Sequence, residues 1–217
     1  MEHWIYFFIQ EIKNTTLLEW LGVGFGVAQV LFAKVNKVWL YPTGILSVVI
    51  SIYIFITSGL YAESILNLYY LVMSIYGWWF WVYKRAVQPL PVTKTTFQEW
   101  KTVLAIVGGG FLILYLALKY FTNSVVPVMD AFVSATAWAG MWLLARRKLE
   151  NWILLNISNA VAIPLLFYKQ LPLYAVLTLF LFIVAILGFF EWKRMIETEK
   201  NDASGNKKAV SGFSKAV

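Results

Sequence analysis

Seven apolar runs, each of about twenty residues and divided from the next by a short polar stretch, leave this chain few ways to fold. They fall at about 16–34, 38–58, 62–83, 101–120, 126–145, 151–168 and 173–192. A run of that length crosses the hydrocarbon core as a helix, because lipid offers no partner for backbone N–H and C=O groups. The expectation is an all-α membrane protein with seven transmembrane helices. Composition agrees: only 13% of the residues are charged, against about 25% in a soluble domain.

The remaining segments are read from what they lack. Residues 1–15 contain HWIYFFIQEI at 3–12, too short to span and without the basic start of a signal peptide, so an interfacial segment is expected. Residues 84–100 form a polar loop between the third and fourth runs. Residues 196–217 turn polar and rich in Lys, Asn, Ser and Gly, the composition of a disordered tail.

Placing the loops alternately on two sides sorts the cations. Lys34, Lys37, Lys84, Arg85, Lys94, Lys101, Arg146, Arg147, Lys148, Lys193, Arg194 and the four tail lysines share one side. Lys13, Lys119 and Lys169 share the other. Cytoplasmic loops carry the excess of Lys and Arg. The expected orientation puts the N-terminus outside and the C-terminus in the cytoplasm. The net charge of +7 is spread over loops with no soluble domain to carry it, so no nucleic-acid partner is expected.

The chain also echoes itself. Leu60, Tyr61 and Ala62 recur as Leu173, Tyr174 and Ala175, and at the same offset of 113 Trp39 meets Trp152 and Trp79 meets Trp192. Runs one to three (16–83) then recur as runs five to seven (126–192), with run four (101–120) as a linker helix. An odd connector restores direction, so the two triplets run parallel, a transporter design.

Helical spacing gathers the polar residues of these runs. At about 100° per residue, Asn67, Tyr70, Ser74, Trp78 and Trp81 fall on one stripe of the third run. Trp79, Trp81 and Tyr83, near the basic end, also suit an interfacial aromatic belt; Asn67, Tyr70 and Ser74 sit too deep for one. In the sixth run Trp152, Asn156 and Asn159 stand at i, i+4 and i+7, and Ser158 and Asn151 point elsewhere. Amides so placed either glue helices or line a polar cavity. The first run puts Gly22, Gly26, Gln29 and Ala33 on one face, the glycines at a spacing that suits helix packing and Gln29 as an inward amide. The fifth run adds Trp138, and Pro42 and Pro164 are candidate kinks. The candidate substrate-binding residues are therefore Gln29, Asn67, Tyr70, Ser74, Trp78, Trp138, Trp152, Asn156 and Asn159.

Several chemistries are excluded. The chain has no cysteine and a single histidine, His3, which leaves no thiolate or histidine metal site and no cofactor to expect. Glu19, Glu63, Asp130, Glu150 and Glu191 all lie near run ends, so no mid-membrane carboxylate is available for proton coupling. No phosphate-binding glycine loop occurs. The core offers hydroxyls and amides but no acid, base or nucleophile, so an enzyme is not expected. Amides bind hydroxyls or a carboxamide, and aromatic faces bind a flat cationic ring. With no buried cation to meet phosphate, a nucleotide is a poor cargo. A non-transporting scaffold or receptor, its aromatic faces used as subunit contacts, is the remaining alternative.

IYGWWFW at 75–81, LENWILLN at 149–156, PLLFYKQLPLYA at 164–175 and the 3+1+3 plan together resemble the PnuC family of vitamin uptake proteins, over about residues 16–195. The resemblance implies a fold like the SWEET sugar carriers, a homotrimer, and a place in the bacterial inner membrane. It implies facilitated diffusion of nicotinamide riboside, with a cytoplasmic kinase trapping the product without stable binding. Riboside carriers of this family commonly read Trp-x-x-Trp in the sixth span; here Trp152 is followed by Leu155 and Asn156. Thiamine, the cargo of similar relatives and also a flat cationic ring, is therefore kept as the alternative.

Overall fold

The computed structural model describes residues 12–13, 15–57, 61–87, 91–122, 125–169 and 171–213. The expected interfacial segment lies almost wholly outside them. Seven helices long and apolar enough to cross a membrane occur among the described residues. They are α1 (Leu17–Lys34), α2 (Leu40–Thr57), α3 (Tyr61–Val87), α4 (Phe97–Phe121), α5 (Pro127–Ala145), α6 (Asn151–Tyr168) and α7 (Pro172–Phe213).

Local chemistry sets the ends. A capping box starts α1, with Thr16 accepting from the Glu19 N–H and the Glu19 carboxylate accepting from the Thr16 N–H at 2.6 Å. The same device, Thr96 with Glu99, starts α4 at 97 rather than 101. Pro42 stands in the first turn of α2, where its missing N–H needs no partner, so it does not kink that helix. Only Pro164 is interior, in α6. The last helix does not stop near 192. It continues to Phe213 through residues expected to be a disordered tail; Glu191–Ser204 holds no Gly or Pro, and Arg194 pairs with Glu191 at 3.0 Å there.

The triplets α1–α3 and α5–α7 are built alike, and the structure fixes their register at 111 positions. Ser47 Oγ donates to the Gly22 carbonyl at 2.8 Å, and Ser158 Oγ to the Val133 carbonyl at 2.8 Å. The α1–α2 turn closes with Lys37 N–H on the Phe32 carbonyl and the α5–α6 turn with Lys148 N–H on Leu143. Asn36 and Arg147 take the same left-handed conformation, at φ 56° and 57°. A side chain added at Gly77 would run into Tyr41, its nearest atoms including Oη at 2.7 Å, and one at Gly188 would run into Trp152, with Cζ2 at 2.7 Å. Each of these pairs is separated by 111. The sequence-based offset of 113 is thus two residues out at the tryptophans: Trp39 is 60% exposed where Trp152 is 1%, and Trp79 is 58% exposed where Trp192 is fully buried. The partners of Trp152 and Trp192 are Tyr41 and Trp81.

The triplets meet through α1 against α7 and α3 against α5, while α4 lies mainly against α5. The largest buried cluster sits on this seam at the end bearing the basic turns, with Tyr41, Trp81, Trp152 and Trp192 at its centre. Val92, from the segment between α3 and α4, packs into it. That segment is tied down by Thr93, whose N–H donates to Arg147 O at 3.1 Å, and by Thr95, whose N–H donates to Glu150 Oε2 at 2.7 Å. Glu99, at the start of α4, pairs with Lys148 at 2.9 Å.

Candidate substrate cavity

A cavity of about 230 Å³ lies between the triplets. Every helix but α4 lines it: Gln29, Val30 and Ala33 from α1, Val48 from α2, Tyr70 from α3, Met141 and Leu144 from α5, Trp152, Leu155 and Asn159 from α6, Leu181 and Ala185 from α7. At a displacement of 111, Val30 pairs with Met141, Ala33 with Leu144, Val48 with Asn159 and Tyr70 with Leu181. The cavity therefore straddles the pseudo-symmetry axis. Its chemistry does not obey that symmetry. Asn159 faces its space opposite Val48, Tyr70 opposite Leu181, and Gln29 has Gly140 as its counterpart.

Local packing explains two of the polar groups. Gln29 lies flat on Gly44: a Cβ there would be 2.7 Å from both Cδ and Nε2 of the amide, so only glycine leaves room for it. Trp152 is pressed against Gly188 on one side and meets Trp192 edge-on, ring centres 5.6 Å apart. Its indole N–H is buried and donates to no protein acceptor. An indole donor held unpaired beside a cavity is a ready contact for a ligand oxygen. Among the lining residues there is no Lys, Arg, Asp, Glu or His.

Of the nine residues proposed from sequence, the structure brings Gln29, Tyr70, Trp152 and Asn159 to this cavity. Ser74 is fully buried with Oγ unpaired, and its counterpart Ala185 lines the cavity, but Ser74 itself does not. Asn67, a turn before Tyr70, is half-buried and outside the lining. Trp78 is 41% exposed on the outer surface of α3; the inward stripe runs from Ser74 through Gly77 and Trp81, which turn to one side of Ser74 around the helix while Trp78 turns to the other. Trp138 belongs to the seam of α3, α4 and α5, stacked on Tyr69 at 4.4 Å and packed against Gly110. Asn156 opens instead into a groove of about 380 Å³ between α6 and α7, lined by Ile153, Phe182 and Phe189 and sharing Trp152 as a wall. Trp81, which the sequence also allows as part of a membrane-interface belt, is buried and donates to the Ala145 carbonyl at 3.0 Å. Met141 and Leu181 were not legible as lining residues, being ordinary apolar side chains; only the corrected repeat register points to them, whereas Leu155 was marked by its place in the sixth-span motif.

Comparisons with known proteins agree with this architecture. A nicotinamide riboside transporter PnuC of Neisseria mucosa is 25% identical over 188 residues, covering 79% of this chain and 70% of the relative. The nicotinamide riboside transporter PnuC of Escherichia coli K12 is 22% identical over 204 residues, covering 81% and 84%. The crystal structure of a vitamin B3 transporter PnuC superposes with a TM-score of 0.67 at 21% identity, covering 90% of this chain and 88% of that one, and shares the fold. The family model described as nicotinamide mononucleotide transporter matches residues 16–194. That stretch runs from the cap of α1 past Trp192 and contains every residue around the cavity, and on it the chain belongs to the nicotinamide mononucleotide transporter family.

Proposed function

We propose that this protein is a carrier for facilitated uptake of nicotinamide riboside across the bacterial inner membrane. The observation that carries the reading is an uncharged cavity on the seam between two like triplets, with one indole, one phenol and two amides on its walls. The pyridinium ring of the riboside is a flat cation and suits the faces of Trp152 and Tyr70. Its carboxamide and ribose hydroxyls suit the amides of Gln29 and Asn159. A phosphate dianion would enter without a cation among the lining residues, so the nucleoside rather than the nucleotide is the cargo.

Without a carboxylate, lysine, arginine or histidine at the cavity, substrate runs down its own gradient, the triplets rocking about the site, and a cytoplasmic kinase traps the product. The excess of Lys and Arg on the side of the α1–α2 and α5–α6 turns supports a cytoplasmic C-terminus and an external N-terminus. The family resemblance supports a homotrimer. One observation favours thiamine as the second reading: Leu155 lines the cavity where riboside carriers of this family commonly place a second indole, so one ring wall is aliphatic.

Calorimetric titration of the purified protein with nicotinamide riboside, nicotinamide mononucleotide and thiamine tests this directly. The riboside should bind and the nucleotide should not. Binding of thiamine alone would replace the first reading with the second, and binding of none would end both.

A further inference from the structure

We infer that Trp81 and Trp192 are paired indole latches that clamp the two triplets together beneath the cavity, and that their release opens the path at the basic end. The inference rests on the carrier reading. Each bond crosses the seam in the opposite sense: Trp81 of the first triplet donates to the Ala145 carbonyl of the second, and Trp192 of the second donates to the Ala33 carbonyl of the first, both at 3.0 Å. The two tryptophans are related by the repeat, and both acceptors lie in the last turns of their helices, α1 and α5. Carbonyls there lie outside the regular helix ladder and can take a side-chain donor, the Ala33 carbonyl in addition to the Asn36 N–H at 3.0 Å.

The latches sit directly under the ligand space. Ala33 lines the cavity and supplies one acceptor; Trp152 forms a wall and meets Trp192 edge-on. Trp81 meets Tyr41, the counterpart of Trp152, in the same way at 5.2 Å, and the Arg147 guanidinium lies over its other face at 4.5 Å. A ring clamped by Trp152 is thus one contact from a latch. Breaking a latch in a dry seam costs an unmade hydrogen bond, but once water enters, both groups are satisfied again. Two states with little between them follow, which is what a gate requires.

The chain contains no cysteine, so Leu144→Cys at the cavity floor gives a single thiol. Its rate of reaction with a charged maleimide is measured in right-side-out and inside-out vesicles, with no ligand present. W81F/W192F should raise the rate from the basic-turn side by about tenfold, the worth of one to two lost hydrogen bonds. W79F, on the exposed face of α3, should leave it unchanged. 3-Benzothienylalanine at 192, which keeps the ring and lacks the donor, should reproduce the rise seen with W192F. If the double variant fails to fold, W81F and W192F singly decide the matter, each raising the rate severalfold. An unchanged rate in the folded variants, or a rise with Phe that the benzothienyl analogue does not reproduce, overturns the latch. A rise in a parent protein that binds neither riboside nor thiamine would sink the carrier reading and leave the latch standing as a contact that holds the seam shut.

Discussion

Asn159 is the amide most exposed to test, because its counterpart in the other triplet, Val48, shows that the fold tolerates an apolar side chain at that place. Asn159→Leu should therefore fold and yet weaken riboside binding at least about tenfold, since a ligand polar group would be left unpaired. Titration beside a thermal melt checks it; wild-type affinity would remove Asn159 from the site. Gly188 offers the converse experiment. A methyl there would stand 2.7 Å from the Trp152 ring and push it into the cavity. Gly188→Ala should cost about 1–3 kcal/mol by overpacking and lower affinity together, read by the same two measurements. Residue identity alone pointed to four residues that line the cavity, Gln29, Tyr70, Trp152 and Asn159, because buried amides and rings are costly in lipid and stand out. It misplaced Trp78 by one position of rotation, because a Trp-rich stretch satisfies both an inner stripe and an outer belt. It could say nothing of Met141 or Leu181, which look like any other apolar residue.

At the scale of helices, the polar groups that do not face the cavity hold the triplets together. Ser47 on α2 and Ser158 on α6 make the same bond to α1 and α5. Ser47→Ala and Ser158→Ala should each cost about 0.6–2 kcal/mol, and by similar amounts. Differential scanning fluorimetry in detergent would show this as two small, matching losses; a loss at one site only would mean the two halves do not share their packing. All seven spans were legible from apolar length, since the bilayer imposes one thickness on every crossing. The ends were less so, because capping boxes and turns extend or trim a helix without altering its apolar run: α4 begins at Phe97 on the strength of Thr96 and Glu99. The repeat was visible, but its register was not. Matching Trp to Trp was misleading, since the buried partner of Trp152 is Tyr41, an aromatic of another kind in the same slot against a glycine.

For the molecule as a whole, the cavity's lining residues include no Lys, Arg, Asp, Glu or His, and the proposed transport is therefore uncoupled from protons. Counterflow of riboside in vesicles should run at the same rate with and without an imposed pH gradient, because no lining side chain gains or loses a proton. A rate that follows the gradient would require a coupling group elsewhere. The seam also has a consequence for how such a carrier changes its diet. Backbone contacts recur in both halves, whereas the polar functions are each written once, on one half only. Turning the cargo half a revolution would set its carboxamide against valine and its ring against leucine, so passage demands a single attitude. An apolar twin, Val48 or Leu181, lines the cavity opposite Asn159 and Tyr70, and a new preference can be drafted there while the inherited frame goes on carrying the load. Variants restricted to Val48 and Leu181 should then shift the choice of vitamin with little loss of melting temperature, whereas Gly140, where a Cβ would stand 2.9 Å from Leu155, should not tolerate a side chain; a collapse of folding at Val48 and Leu181 would show that the spare half is not spare.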